Sequence, residues 1–214
     1  MMNGKLITFE GSEGAGKTTA LNEIIKKIKP QLGNQLMTTR EPGGNIISEE
    51  IRNIIMDSKN DSMDAKTEAL LFAAARRQHL IEEVIPALDA GKLVLCDRYV
   101  ESSVAYQGAA RGIGEQAIWD LNQFATNGLK PDLTIYFDVP IEVGLNRIMQ
   151  HRTNEINRLD KEHHDFYVKV HDAYEKMAKE HPDQIVKVDA SQPIDQVVAD
   201  VLKLIKSRVP EYFN

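Results

Sequence analysis

Gly11-Ser12-Glu13-Gly14-Ala15-Gly16-Lys17-Thr18 completes the pattern G-x-x-x-x-G-K-T, and its flanks decide what the pattern means. Upstream, Lys5-Leu6-Ile7-Thr8-Phe9-Glu10 reads as a short buried parallel strand. Downstream, Leu21, Ile24, Ile25 and Ile28 recur at helical spacing. Strand, glycine loop and helix together form a phosphate cradle. Glycines let the backbone curl so that several N–H groups face a polyphosphate, and the helix N-terminus adds the positive end of its dipole. Lys17 is suited to the outer phosphates and the Thr18 hydroxyl to Mg²⁺. An ordinary glycine turn explains the glycines but not the strand, the Lys and the Thr at once.

The 214 residues are 42% hydrophobic, enough for one domain (1–214) with a sizeable core. A net charge of −6 argues against a nucleic-acid polymer as partner, which favours a basic face. No apolar run approaches the roughly 20 residues of a membrane helix. The first strand begins almost at once, so no secretory signal is expected. Cys96 is the single cysteine, which leaves no disulfide framework or zinc site within one chain. We expect a cytoplasmic protein that does not engage a membrane.

After the first helix, which runs to about Leu32, a second strand at Gln35–Thr39 leads into Arg40-Glu41-Pro42-Gly43-Gly44. A charged pair at the C-terminal end of a strand is suggestive, because open α/β sheets bind ligands at that edge. A helix opens at Ser48 and carries Arg52, whose spacing also fits a solvated helix residue. Met63 to Gly91 reads as one long helix bent at Pro86, apolar on more than one side and therefore buried in the core or at a subunit interface. Within it Phe72 and Arg76 stand one turn apart; the spacing leaves core packing and surface charge open.

A third strand, Lys92–Cys96, ends in Asp97-Arg98, and a fourth, Leu133–Phe137, ends in Asp138. Four apolar residues followed by Asp is how P-loop enzymes place a carboxylate near Mg²⁺. Asp97 is preferred because Arg98 beside it supplies a cation. Ser102, Ser103, Tyr106 and Gln107 follow with the hydrogen-bonding groups that a nucleobase or sugar pocket needs. A helix from Ile141 gives way to the polar run 150–158, a candidate lid at about 147–160 with Arg147, Arg152 and Arg158. His163, His164 and His171 have no zinc-site spacing and read as surface residues. Gln184–Val188 is a fifth strand, and the turn Asp189–Pro193 precedes a closing helix. The pattern predicts an α/β P-loop NTPase fold: a five-stranded parallel sheet flanked by helices on both faces.

Phe9–Thr19, Thr39–Gly44, Leu71–Arg76, Asp97–Tyr99 with Ala105–Gly108, Pro131–Tyr136 and Asp189–Pro193 resemble the motifs of bacterial thymidylate kinase over nearly the whole chain. The resemblance implies transfer of the γ-phosphoryl group of ATP to dTMP, giving dTDP and ADP for dTTP biosynthesis, in a homodimer. It implies Gly11 through Thr19, Arg147, Arg158 and Gln192 on the ATP side, with Asp189–Gln192 near the adenine. On the dTMP side it implies that Phe72 stacks on thymine and that Arg76 donates to the base carbonyl. Gln107 and Ser103 would complete the base pocket, and Tyr106 would exclude a ribose 2′-hydroxyl. Glu13 would meet the deoxyribose, Arg52 and Arg98 the acceptor phosphate, with Glu41, Pro42 and Ser102 beside them.

Lys17, Arg98, Arg152 and Glu13 are the expected catalytic residues, and Thr18 and Asp97 the expected Mg²⁺ ligands. Some thymidylate kinases carry a P-loop arginine where this chain has Gly14, so the missing cation is expected from the lid, from Arg152 before Arg158 or Arg147. A nucleoside monophosphate kinase for another base is the near alternative. A regulatory GTPase is more distant, since the chain has no Asn-Lys dipeptide with which to begin a guanine motif.

Overall fold

In the computed structural model, which describes residues 3–151 and 163–213, five parallel strands form one sheet in the order β2-β3-β1-β4-β5. They are β1 (Lys5–Glu10), β2 (Leu36–Arg40), β3 (Leu93–Asp97), β4 (Leu133–Asp138) and β5 (Ile185–Asp189). The strand period of two divides the apolar residues between two cores. Ile7, Phe9, Leu95, Ile135 and Phe137 face α1 (Lys17–Leu32) and α9 (Ile194–Arg208). Leu6, Val94, Cys96 and Tyr136 face the other layer, which includes α3 (Ala65–His79) and α8 (His164–Glu180). Burial on both sides explains why these strands read as continuous apolar runs.

The register places Arg40 opposite Asp97, Phe9 opposite Asp97 and Glu10 opposite Tyr136. The charged ends of β1, β2 and β3 therefore share one edge. From β1 the chain first builds β2 and β3 on one side, then β4 and β5 on the other. The crevice of such a sheet opens where that order reverses, at the carboxyl end of β1. There the glycine loop emerges.

Strand ends shift by one residue, and several helical boundaries differ more from expectation. Helix α2 (Ile46–Met56) starts two residues before Ser48, because Asn45 Oδ1 caps it by accepting the Ser48 N–H at 2.8 Å. The stretch 63–91 is α3, a π turn at Leu80–Val84 and α4 (Ile85–Asp89). Pro86 lacks an N–H and crowds the preceding turn, which widens instead of simply bending. Residues 100–110 are helical, as α5 (Val100–Ser103) followed by a π segment at Val104–Ala110. Next come α6 (Glu115–Thr126) and α7 (Ile141–His151), so the polar run expected from 150 begins inside a helix. Arg152 and Arg158 lie outside the described residues.

Candidate active site

A continuous cavity of about 700 Å³ runs from the glycine loop to Phe72, Arg76 and Gln107. At the loop end, Gly11, Gly14 and Gly16 all have positive φ. Gly14 is also pressed against α7, where a Cβ would collide with the Gly144 carbonyl. Local packing thus excludes any side chain at that position. Lys17 is buried, and its Nζ donates to the Gly11 and Ser12 carbonyls at 2.8 and 2.9 Å. Burial, with Arg98 nearby, lowers its ammonium to about 8.

Thr18 donates from Oγ1 to Asp97 Oδ2 at 3.2 Å, while Asp97 Oδ1 is buried without a hydrogen-bond partner among the described residues. A hydroxyl beside an orphaned carboxylate oxygen is a donor set suited to a hard, oxygen-seeking cation such as Mg²⁺. Asp138 stands elsewhere: it accepts from Lys187 Nζ at 3.3 Å and meets His171 Nε2 at 3.1 Å.

Arg98 projects from the end of β3 with φ 71°, unusual for a residue carrying a Cβ. Its Nη2 donates to Glu13 Oε1 at 2.7 Å, and its Nη1 to Ser102 Oγ at 2.9 Å and the Gly11 carbonyl at 3.2 Å. The guanidinium lies 5.1 Å from the Tyr106 ring centroid. Arg52 holds the Pro42 carbonyl through Nη1 at 3.1 Å. Burial and the neighbouring Arg40 and Arg98 lower its pKa. Arg52 and Arg98 thus converge on one part of the cavity, and an anion there would offset their repulsion.

Further along, Arg76 is 2% exposed. Nε donates to Glu41 Oε2 at 2.6 Å, Nη1 to Ser103 Oγ and Asn122 Oδ1, and Nη2 to the Tyr99 carbonyl at 2.9 Å. Among the described residues, these contacts engage four of its five N–H groups. Glu41 also meets His79 Nδ1 at 3.1 Å, so its carboxylate stands behind the arginine. Gln107 donates from Nε2 to the buried Glu68 at 2.8 Å, which orients its amide. Phe72 and Pro42 line the wall. This end is shaped for a flat ring carrying acceptors.

A thymidylate kinase family model matches residues 9–201. The chain belongs to the thymidylate kinase family. It is 62% identical over 212 residues to the thymidylate kinase of Lactiplantibacillus plantarum, across 99% of this chain and 96% of that protein. It is 58% identical to the thymidylate kinase of Latilactobacillus sakei, over 95% of each. The crystal structure of thymidylate kinase from Ehrlichia chaffeensis superposes with a TM-score of 0.76 at 30% identity, covering 95% of this chain and 99% of that one.

Within this thymidylate kinase fold, the cavity gathers most of the residues expected at the two substrates. Glu13 through Thr19, Asp97, Arg147 and Gln192 line one end. Glu41, Pro42, Phe72, Arg76, Ser103, Tyr106 and Gln107 line the other, and Arg52, Arg98 and Ser102 also belong to the lining. Gly11 and Ser12 contribute carbonyls beneath Lys17. Arg147 Nη1 reaches the Ala190 carbonyl at 3.2 Å and the Gly14 carbonyl at 3.5 Å, bridging the glycine loop and the Asp189–Gln192 turn.

Sequence reasoning missed the residues behind this lining: Glu10, Glu68, His79, Glu101 and Asn122. All five are buried. Glu10 ends an apolar strand, and that mismatch was an available signal; the other four lie among polar neighbours in the sequence and carried none.

Proposed function

We infer that this chain is an ATP-dependent dTMP kinase: it transfers the γ-phosphoryl group of ATP to dTMP, giving dTDP and ADP. The single observation that carries this is the continuous cavity with the Lys17 cradle at one end and the Arg76–Gln107 pocket at the other, Arg98 and Arg52 standing between them. Phosphoryl transfer asks little covalent chemistry of a protein and depends on positioning and on cations. Lys17 and the loop amides would hold the donor phosphates, and Arg98 and Arg52 would orient the acceptor phosphate in line with them. Glu13 would hold Arg98 and face the sugar. Phe72 would stack on the thymine, with Arg76, Ser103 and Gln107 reading its edge and Tyr106 leaving no room for a 2′-hydroxyl. Arg147 and Gln192 would border the adenine side.

Mg²⁺ belongs to the same proposal. Thr18 and Asp97 would hold it, directly or through water, and it would neutralise phosphate charge. We take residues 1–214 as one unit whose lid at about 147–160 closes over the nucleotides, with Arg152 as the cation that Gly14 cannot supply. The working form is a homodimer, for which the exposed Ile54, Leu70 and Phe124 on the neighbouring helices α2, α3 and α6 supply an apolar surface. The cytoplasm is the compartment of this reading. No helix among the described residues is long and apolar enough to cross a membrane.

The test is ADP release by the purified chain with ATP and a panel of nucleoside monophosphates. Turnover confined to dTMP and close deoxy analogues is expected. Equal turnover across the panel would overturn the reading.

A further inference from the structure

The Glu10 carboxylate ends β1 fully buried. The proposed reaction makes no use of it. A buried carboxylate needs donors, and Glu10 has four. Its Oε1 accepts the backbone N–H groups of Tyr99 and Ser102 at 2.6 and 3.3 Å. Its Oε2 accepts the Ser102 hydroxyl at 2.6 Å and the Tyr174 hydroxyl at 2.8 Å. Three of these donors lie in the five residues after Asp97, the segment that carries Arg98. The backbone of Arg98 is left-handed, which side chains with a Cβ avoid, so neighbouring contacts must hold it there. The Tyr99 and Ser102 N–H bonds flank it on the C-terminal side and do so.

The hydroxyls carry a second consequence. An ionised carboxylate only accepts, so Ser102 must spend its single proton on Glu10. Tyr174 spends its own there too. Ser102 Oγ is then left with lone pairs toward Arg98 Nη1, 2.9 Å away. Glu10 thus fixes the direction of the chain Arg98 to Ser102 to Glu10.

We propose that Glu10 is a positioning residue for phosphoryl transfer, holding the Arg98 guanidinium at the acceptor phosphate by dictating which way the Ser102 hydroxyl points. This rests on the reading of Arg98 as the acceptor-phosphate cation.

Glu10→Gln keeps the shape but introduces an NH₂ that must donate. With nitrogen in place of Oε2, Ser102 is forced to accept and turns its proton toward Arg98. With nitrogen in place of Oε1, it opposes two backbone donors. Steady-state kinetics should show kcat/KM for dTMP falling about 10- to 100-fold, the range for losing a charge-assisted hydrogen bond, with the KM for ATP little changed. Ser102→Ala should lower the same parameter to a lesser degree. The double variant Glu10→Gln/Ser102→Ala should recover part of the Glu10→Gln loss, since the misdirected proton is gone.

Thermal melts identify a Glu10→Gln protein that does not fold, in which case Ser102→Ala alone decides. Wild-type dTMP kinetics in either single variant that folds, or a double variant that loses the product of the two single losses, would overturn the proposal. Arg98→Met separates the layers. Unchanged dTMP kinetics in that variant overturns the Arg98 reading and Glu10's role with it. A large loss there beside unaffected Glu10→Gln and Ser102→Ala overturns the Glu10 inference alone.

Discussion

Arg76 Nε meets Glu41 Oε2 at 2.6 Å with both side chains 3% exposed, joining the loop after β2 to α3 beside the cavity that both line. Breaking a buried pair by removing one charge costs about 3–5 kcal/mol, because the remaining charge keeps its desolvation penalty. Glu41→Gln should therefore lower the denaturant midpoint strongly and weaken dTMP binding, since Arg76 loses its brace. An unchanged midpoint would show that Ser103, Asn122 and the Tyr99 carbonyl hold the arginine unaided.

The same arginine should set base selectivity. Its N–H groups suit a thymine carbonyl and oppose the amino group of cytosine. A buried mismatch of this kind costs about 1–3 kcal/mol, or roughly 5- to 150-fold in kcat/KM. CMP should be turned over correspondingly worse than dTMP in parallel assays, and parity would move the base pocket elsewhere.

Lys17→Ala should abolish turnover while leaving the melting curve close to wild type, since the side chain's bonds are two to neighbouring loop carbonyls. Because burial lowers the ammonium from 10.5 to about 8, it deprotonates as pH rises through 8. Nucleotide phosphates favour the charged form. Affinity for a non-hydrolysable ATP analogue should thus fall with rising pH above about 8 in wild type and not in Lys17→Ala. A flat titration curve for wild type would show that loop amides carry the binding.

Glu101 should govern a separate pH effect, on stability. Burial and the nearby Glu10 push its carboxyl from 4.5 up to about 7. Between those values the folded chain holds a proton that the unfolded chain releases. The contribution is full below about 4.5 and is lost as pH rises to about 7. Glu101→Gln cannot ionise, so its melting temperature should decline less over that window and exceed wild type above it. Parallel Tm curves for the two proteins would rule this out.

For the lid, Arg152→Ala should lower kcat strongly with little change in dTMP affinity, the signature of a contact made only in the transition state. Arginine fingers contribute roughly 10³–10⁵ in rate, and neighbouring cations would reduce the loss here. Alanine variants at Arg147 and Arg158 complete the measurement. A loss at one of those with Arg152→Ala near normal would reassign the role.

Much of this protein follows from its sequence alone. Apolar runs of strand length alternating with helical periodicity determine the parallel sheet, and the glycine loop with Lys17 and Thr18 marks the phosphate end, because these signals are local and repeat at fixed spacing. Arg98 is likewise legible, directly after an apolar strand, whereas Arg52, Phe72 and Arg76 sit inside helices where spacing alone leaves core packing or surface charge open. Tertiary structure decided what each of them touches. Glu10, Glu68, His79 and Asn122 meet Ser102, Gln107, Glu41 and Arg76 from 38 to 92 residues away, distances along the chain at which no periodicity carries information. Burial there removes water, so each polar group must find a partner wherever the packed layers bring one. That requirement, and not local propensity, set the orientation of Arg76 and Arg98.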